Sequence, residues 1–271
     1  MTLWVRFIDG EGAAACGVLE SGRVRRYAGE WYAEEPRPTD EVLRLDSLTL
    51  LPPCTPSKII ALWNNFEALR AKLGKAVPAH PLYLIKAASC LAGPDEEIRR
   101  PVRYEGKIAF EGELGIVIGR RCKDVTVGEA ASYIGGYTCV NDVTAAEVLN
   151  ENGDFAQWCR AKSFDGFGCL GPAIASQFDF ATERVVTRVD GVERQNYPLA
   201  DMIFPPEQLV SRISHDMTLL PGDVIACGTS LGVGSIRDGA SVEITIGGIG
   251  SLTNTLAPAA RQLPQDQASA A

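Results

Sequence analysis

Glu111 and Glu113 stand one residue apart in the apolar run Phe110-Glu111-Gly112-Glu113-Leu114-Gly115-Ile116-Val117-Ile118-Gly119. A third carboxylate, Asp142, ends the segment Gly136-Tyr137-Thr138-Cys139-Val140-Asn141-Asp142. The first run reads as a strand, in which residues i and i+2 point to one face. Glu111 and Glu113 then stand side by side with Gly115 beyond them, and Leu114, Ile116 and Ile118 pack behind. Two like charges on an apolar strand repel and are costly to bury without a partner. A hard divalent cation removes that cost, because magnesium, manganese and calcium take oxygen ligands. The competing reading is an amphipathic strand whose glutamates simply face water. Taken alone, the pair is half a metal site.

The elements that must position these groups are short and mostly extended. Residues 1 to about 50 alternate apolar strands (Leu3 to Ile8, Ala14 to Leu19, Arg23 to Tyr27) with the turn dipeptides Asp9-Gly10 and Ser21-Gly22. Leu51-Pro52-Pro53 and Thr55-Pro56 then punctuate the chain. A buried strand over Lys58 to Trp63 runs through Asn64-Asn65-Phe66 into a helix from Glu67 to about Lys75, and a further strand over Pro81 to Lys86 follows. The pattern predicts a helical stretch over Val127 to Ser132 ahead of the Asp142 strand. Later strands are expected over Arg184 to Val189, Gly222 to Cys227 and Ser241 to Ile246, with a helix over Glu207 to Leu219. There is no regular βαβ alternation, so the fold class is α+β built on a mixed sheet. The expected division is a small β-rich N-terminal domain over 1–52, a catalytic domain over 53–258, and a fraying tail rich in Ala, Pro and Gln over 259–271.

Composition narrows the function classes. Lys and Arg number 26 against 34 Asp and Glu, a net charge of −8 that offers no footprint for nucleic acid or an anionic membrane. No stretch approaches the roughly 20 apolar residues of a membrane span. Met1 to Phe7 lacks the basic head and apolar middle of a signal peptide, and the expected compartment is the cytoplasm. The eight cysteines form no C-x-x-C pair and are read as buried, reduced, small apolar residues. The two histidines, His80 and His215, are too few for a multi-histidine centre. Ser214-His215-Asp216 is consecutive, whereas triad members converge from distant positions, so His215 is expected to cap or pack near a helix end.

Two further segments complete a constellation: Ala161-Lys162-Ser163-Phe164-Asp165 through Leu170-Gly171-Pro172, and Leu219-Leu220-Pro221-Gly222-Asp223 through Gly228-Thr229-Ser230. The ordered set E-x-E, G-Y-x-x-x-N-D, K-S-x-D-x-x-x-x-L-G-P and L-x-P-G-D-x-I-x-x-G-T resembles the fumarylacetoacetate hydrolase family, from about Lys58 to Leu252. The first fifty or so residues look like the small N-terminal domain of its single-chain members. The resemblance implies a mixed β-sheet roll or sandwich. It also implies Glu111, Glu113 and Asp142 as ligands of Mg2+ or Mn2+, with open positions for a bidentate 2-oxo acid and a water. Lys162 matches the lysine that faces the substrate, where a cation stabilises oxyanion charge; the competing reading is a surface pair with Asp165. Lys86 matches a lysine near the pocket, against an exposed strand end. Gly228 and Thr229 match the turn that binds a substrate carboxylate, where N–H groups can meet an anion. The implied partners are a small 2-oxo acid substrate and a second copy of the chain, as a homodimer.

The implied chemistry is C–C bond cleavage of a 2-oxo or 2,4-dioxo acid through a metal-bound enolate, hydrolytic or decarboxylative. Tautomerisation of an unsaturated 2-oxo diacid uses the same intermediate. Hydrolytic members carry an H-x-x-E dyad on a helix after the first strand of this domain, where it activates water. This chain has Leu69 and Lys72 at those positions. Glu67 is the nearest substitute base and His80 a more distant one, although an acid at a helix N-terminus is also favoured by the dipole alone. The departure weakens water-dependent cleavage relative to decarboxylation or tautomerisation. It also leaves room for a member that binds ligand without turnover.

Overall fold

The computed structural model describes residues 1–32 and 36–258, so the tail over 259–271 lies outside the described residues. The largest sheet runs, edge to edge, through Arg37–Arg44, Arg23–Ala28, Ala14–Glu20, Leu3–Ile8, Gly168–Ala175, Ile134–Asp142, Gly112–Ile118, Val224–Ala226, Ile59–Trp63 and Leu82–Lys86. Most neighbours are antiparallel, but Val224–Ala226 lies parallel to Ile59–Trp63. A five-stranded sheet contains the hairpin Arg184–Val189 and Val192–Pro198, followed by Ser241–Ile246, Gly250–Leu256 and Glu97–Ile98. This is the expected α+β architecture with a mixed sheet. The N-terminal strands do not form a sheet of their own: Leu3 pairs with Ala175, which continues the large sheet into the first fifty residues.

Alternation decides which faces are covered. Leu114, Ile116 and Ile118 share a core with Cys139, Val185, Ile244 and Leu252, between the large sheet and the five-stranded one. Val117 points the other way, into a core with Ala61, Val140, Leu170 and Val224. Each fully buried side chain of this size contributes roughly 1.5–3 kcal/mol. A strand covered on both faces reads as a continuous apolar run, and that is why glutamates within it are conspicuous.

The helices are shorter than their apolar patterns suggest. The first spans Glu67–Lys72 and the longest spans Pro206–Asp216, where a proline in the first turn matches helical φ. That helix buries Leu209, Val210 and Ile213. The backbone of Cys122 pairs with Leu219, so the segment after Asp216 is extended rather than helical.

Candidate metal centre

Glu111 and Glu113 do not sit in one uninterrupted strand. Ile108–Phe110 belongs to a small sheet with Thr144–Ala145 and Gly234–Ile236, whereas Gly112–Ile118 belongs to the large one. Glu111 is the junction between them. The reason is the partner strand: it too changes sheets, after Asp142, and the Asp142 amide bonds the Glu111 carbonyl at 2.9 Å. The junction keeps both glutamates on the side where Asp142 ends its strand. The candidate ligand oxygens of Glu111, Glu113 and Asp142 lie within 4.8 Å of one another. Octahedral ligands at about 2.1 Å from a magnesium ion stand roughly 3–4 Å apart, so small side-chain adjustments suffice.

Two lysines brace the carboxylates. Lys162, from the short helix Trp158–Lys162, places Nζ 2.9 Å from Glu111 Oε2, 2.7 Å from Asp142 Oδ2 and 2.8 Å from Thr144 Oγ1. Lys86, at the end of Leu82–Lys86, donates to Asp142 Oδ1 and to the Phe167 carbonyl. Both lysines are buried, so neither the exposed strand end for Lys86 nor the surface pair of Lys162 with Asp165 is realised.

The electrostatics follow from this crowding. Burial pushes the Glu113 carboxyl well above its usual range, and the Asp142 and Glu111 charges add to the push. Glu111 is also raised, mainly by burial, with Lys162 opposing. Burial acts in the same direction on Asp142, but the Lys162 and Lys86 ammoniums outweigh it and hold that carboxyl low. Burial alone would lower Lys162; the three carboxylates raise it instead, so its ammonium stays protonated. Glu113 accepts one bond, from the Gly228 amide at 2.9 Å, while its Oε1 is buried without a partner. A buried carboxylate oxygen with no donor is an unfavourable arrangement that a cation would relieve. The donor set, three hard oxygens, suits magnesium or manganese.

The other candidates are distributed unevenly. Gly228 adopts φ +88° and gives its N–H to Glu113, while the Thr229 hydroxyl donates to the Gly112 carbonyl at 3.0 Å. Glu67 starts its helix and pairs with Arg70 at 2.7 Å rather than with the carboxylate cluster. His80 is exposed. Ser214, His215 and Asp216 form no triad: Ser214 is buried against Val125 and Ser211, whereas Asp216 accepts from Tyr83. Cys159 is exposed, against the expectation that every cysteine is buried; the other seven are, and all eight are free thiols.

Sequence reasoning missed three contributors: Thr144, Gln195 and Tyr197. Thr144 stands at i+2 from Asp142, so the strand period already placed it on the ligand face. Gln195 and Tyr197 touch Gly112 from a distant hairpin, and no local pattern marks them.

Comparison with known proteins agrees with this geometry. The profile described as fumarylacetoacetate (FAA) hydrolase C-terminal matches residues 58–257, and one described as Rv2993c-like, N-terminal matches residues 3–53. An uncharacterized protein of Archaeoglobus fulgidus is 43% identical over 219 residues, which is 81% of this chain and 86% of that protein. The crystal structure of 5-carboxymethyl-2-hydroxymuconate delta-isomerase from Mycobacterium smegmatis is similar with TM-score 0.87 and 37% identity, over 95% of this chain and 100% of that one. A fumarylacetoacetate hydrolase from Exiguobacterium antarcticum gives TM-score 0.81 and 30% identity over the same shares. With the profile covering most of its length and the carboxylate trio assembled, the chain belongs to the fumarylacetoacetate hydrolase family.

Proposed function

We propose that this protein is a divalent-metal-dependent enzyme that breaks a carbon–carbon bond beside the keto group of a 2-oxo or 2,4-dioxo acid, with decarboxylation favoured over hydrolysis. The observation that carries the reading is the convergence of Glu111, Glu113 and Asp142, with Lys162 bonded to two of them. When bound by these three carboxylates, Mg2+ or Mn2+ supplies Lewis-acid polarisation of the substrate's oxygens. Charge counting supports an anionic substrate. Three carboxylates against the two ammoniums of Lys162 and Lys86 leave one negative charge, and a divalent ion turns that into one positive charge.

The chain's own groups have distinct parts in this reading. Lys162 keeps a buried positive charge at the site, where it stabilises oxyanion character as a bond breaks. Lys86 holds Asp142 in place and is itself fixed by the Phe167 carbonyl. The Gly228-Thr229 turn touches Glu113 and Gly112 and so lies against the carboxylate cluster, which is where this reading puts the substrate carboxylate. Glu67, tied to Arg70, starts the helix at the expected lid position, where Asp201 also accepts from the Ala68 amide. The proposed assembly is a homodimer.

A second reading, tautomerisation of an unsaturated 2-oxo diacid, is supported by one observation. The helix Glu67–Lys72 carries Leu69 and Lys72 where an acid–base pair would activate water, and neither isomerisation nor decarboxylation needs that water. The test supplies oxaloacetate and acetylpyruvate to protein loaded with Mg2+ or Mn2+ and follows CO2 and acetate separately. Faster loss of CO2 from oxaloacetate is expected. Rapid acetylpyruvate hydrolysis would reverse the preference, and tight oxalate binding without any product would leave a binding protein.

A further inference from the structure

Gly112, the residue between the two glutamates, is held by side chains where a strand would otherwise be. The neighbouring strand Val224–Ala226 pairs only as far as Gly115, and one further bond joins the Cys227 amide to the Leu114 carbonyl at 2.8 Å. Past that point, among the described residues, the Gly112 N–H and carbonyl on the outer edge are met by side chains. The hairpin strand Val192–Pro198 fills the gap with two residues at i and i+2, which face the same way. Gln195 Oε1 accepts from the Gly112 N–H at 3.0 Å. Tyr197 Oη donates to the Gly112 carbonyl at 2.5 Å. Thr229 Oγ1 donates to the same carbonyl at 3.0 Å and accepts from Gln195 Nε2 at 2.8 Å. Gln195 and Tyr197 are both buried, so these bonds are not exchanged with water.

We infer that Gln195 and Tyr197 are positioning residues that clamp the Gly112 peptide so that Glu111 and Glu113 present their carboxylates to one point. The inference rests on the metal-site reading above and extends it to the hairpin that sets the site's geometry. A residue has two soft dihedrals, φ and ψ, and rotation about those of Gly112 would swing one glutamate relative to the other. Glycine is the residue least able to resist that rotation by itself. It is nevertheless required, because a Cβ at position 112 would stand 2.1 Å from Thr187 Oγ1. The clamp therefore supplies the rigidity that the glycine lacks. Gln195 also connects Gly112 to Thr229, so the two glutamates and the turn beside Glu113 move as one unit. Groups that orient metal ligands from behind typically alter affinity by about 10–100-fold when removed.

The test is Mn2+ titration followed by electron paramagnetic resonance of the free ion, on the full chain and on Gln195→Leu, Tyr197→Phe and Val185→Ala. Val185 is fully buried and faces Tyr197 across the hairpin, but its side chain makes no hydrogen bond to the Gly112 peptide, so its truncation reports loosened packing of that hairpin as distinct from loss of a clamp bond. Gln195→Leu is expected to raise the Kd for Mn2+ by about tenfold or more. Tyr197→Phe is expected to raise it less, since Thr229 keeps one bond to the Gly112 carbonyl. Val185→Ala should lower Tm yet bind Mn2+ as the unsubstituted protein does. Unchanged Kd in both clamp variants, or an equal loss in Val185→Ala, would overturn the inference alone. Failure of the unsubstituted protein to bind Mn2+ would overturn the metal reading and this inference with it.

Discussion

Lys162 Nζ lies 2.7 Å from Asp142 Oδ2, and both side chains are almost wholly shielded from solvent. The same ammonium reaches Glu111 Oε2 at 2.9 Å, so one cation braces two of the three candidate ligands. Lys162→Met removes that charge while keeping much of the side chain's bulk. We expect kcat on oxaloacetate to fall about 10²–10³-fold, the magnitude found when one charge-stabilising donor is lost. Without metal the variant should also melt lower, because Glu111 loses its ammonium partner and Asp142 keeps only Lys86. Steady-state rates and thermal melts, each with and without Mn2+, check both effects; near-normal turnover would remove Lys162 from the chemistry.

Metal binding should be visible as stability. A ligand that binds only the folded state at about 100 times its Kd adds about 2.7 kcal/mol. For a chain of this size each kcal/mol moves Tm by about 2–4 °C. Mn2+ or Mg2+ is therefore expected to raise Tm by several degrees, and EDTA to reverse the rise. Glu113→Gln and Asp142→Asn should abolish the shift. A shift that survives both substitutions would place the ion elsewhere.

Much of this site was legible before any coordinates. The i, i+2 period put Glu111 and Glu113 on one side, and it applies equally to Asp142 and Thr144, although the threonine drew no attention. What stayed hidden has a common cause. The sheet change at Glu111 depends on which strands lie alongside it, and the neighbours are Thr144–Ala145 and Gly234–Ile236, distant in sequence. Gln195 and Tyr197 act across more than 80 residues of chain, through hydrogen bonds of 83 and 85 residues' separation. The pairing of Leu3 with Ala175, which joins the first strand to the large sheet, likewise has no local signature.

Glu67 tests the balance between hydrolysis and decarboxylation. Its carboxylate is engaged with Arg70 at 2.7 Å and sits at the start of a helix, where an acid is favoured without any catalytic duty. Glu67→Gln is expected to change oxaloacetate decarboxylation by less than about threefold. A general base that activates water contributes about 10²–10⁴-fold, so a loss of that size confined to acetylpyruvate would assign Glu67 to hydrolysis. Rates on the two substrates with one enzyme preparation decide it.

Asp9 gives the N-terminal sheet a pH dependence. Its carboxylate accepts from the amides of Ala13 and Glu11 and from Arg26, and the Ala13 bond above all, with the Glu11 bond and the Arg26 charge, holds its pKa below the ordinary value despite the opposing effect of burial. A carboxyl with a lowered folded pKa stabilises the fold above its unfolded pKa of about 3.9, and that contribution disappears as pH falls through the folded value. Urea melts of the protein and of Asp9→Asn should therefore differ by a constant amount above about pH 5. The difference should shrink as the pH is taken well below 4. A gap that instead widened in acid would mean the folded pKa is raised.

Gly112→Ala is expected to be costly for a reason that can be isolated. The new methyl would stand 2.1 Å from Thr187 Oγ1, with Gln195 Oε1 at 3.2 Å and Ile244 Cγ1 at 3.3 Å. Thr187 is fully buried and its hydroxyl has no hydrogen-bond partner, so removing that oxygen leaves no orphaned donor or acceptor behind. Overpacking of this kind costs about 1–3 kcal/mol. Thr187→Ala alone should be mild, and Gly112→Ala combined with Thr187→Ala should recover part of the loss. Residues in direct contact show coupling of about 0.5–3 kcal/mol in such cycles. Chemical denaturation of the four proteins measures it. Strict additivity would mean that the strand shifts away from Thr187, and Mn2+ affinity should then fall with it, because Glu111 and Glu113 ride on the same backbone.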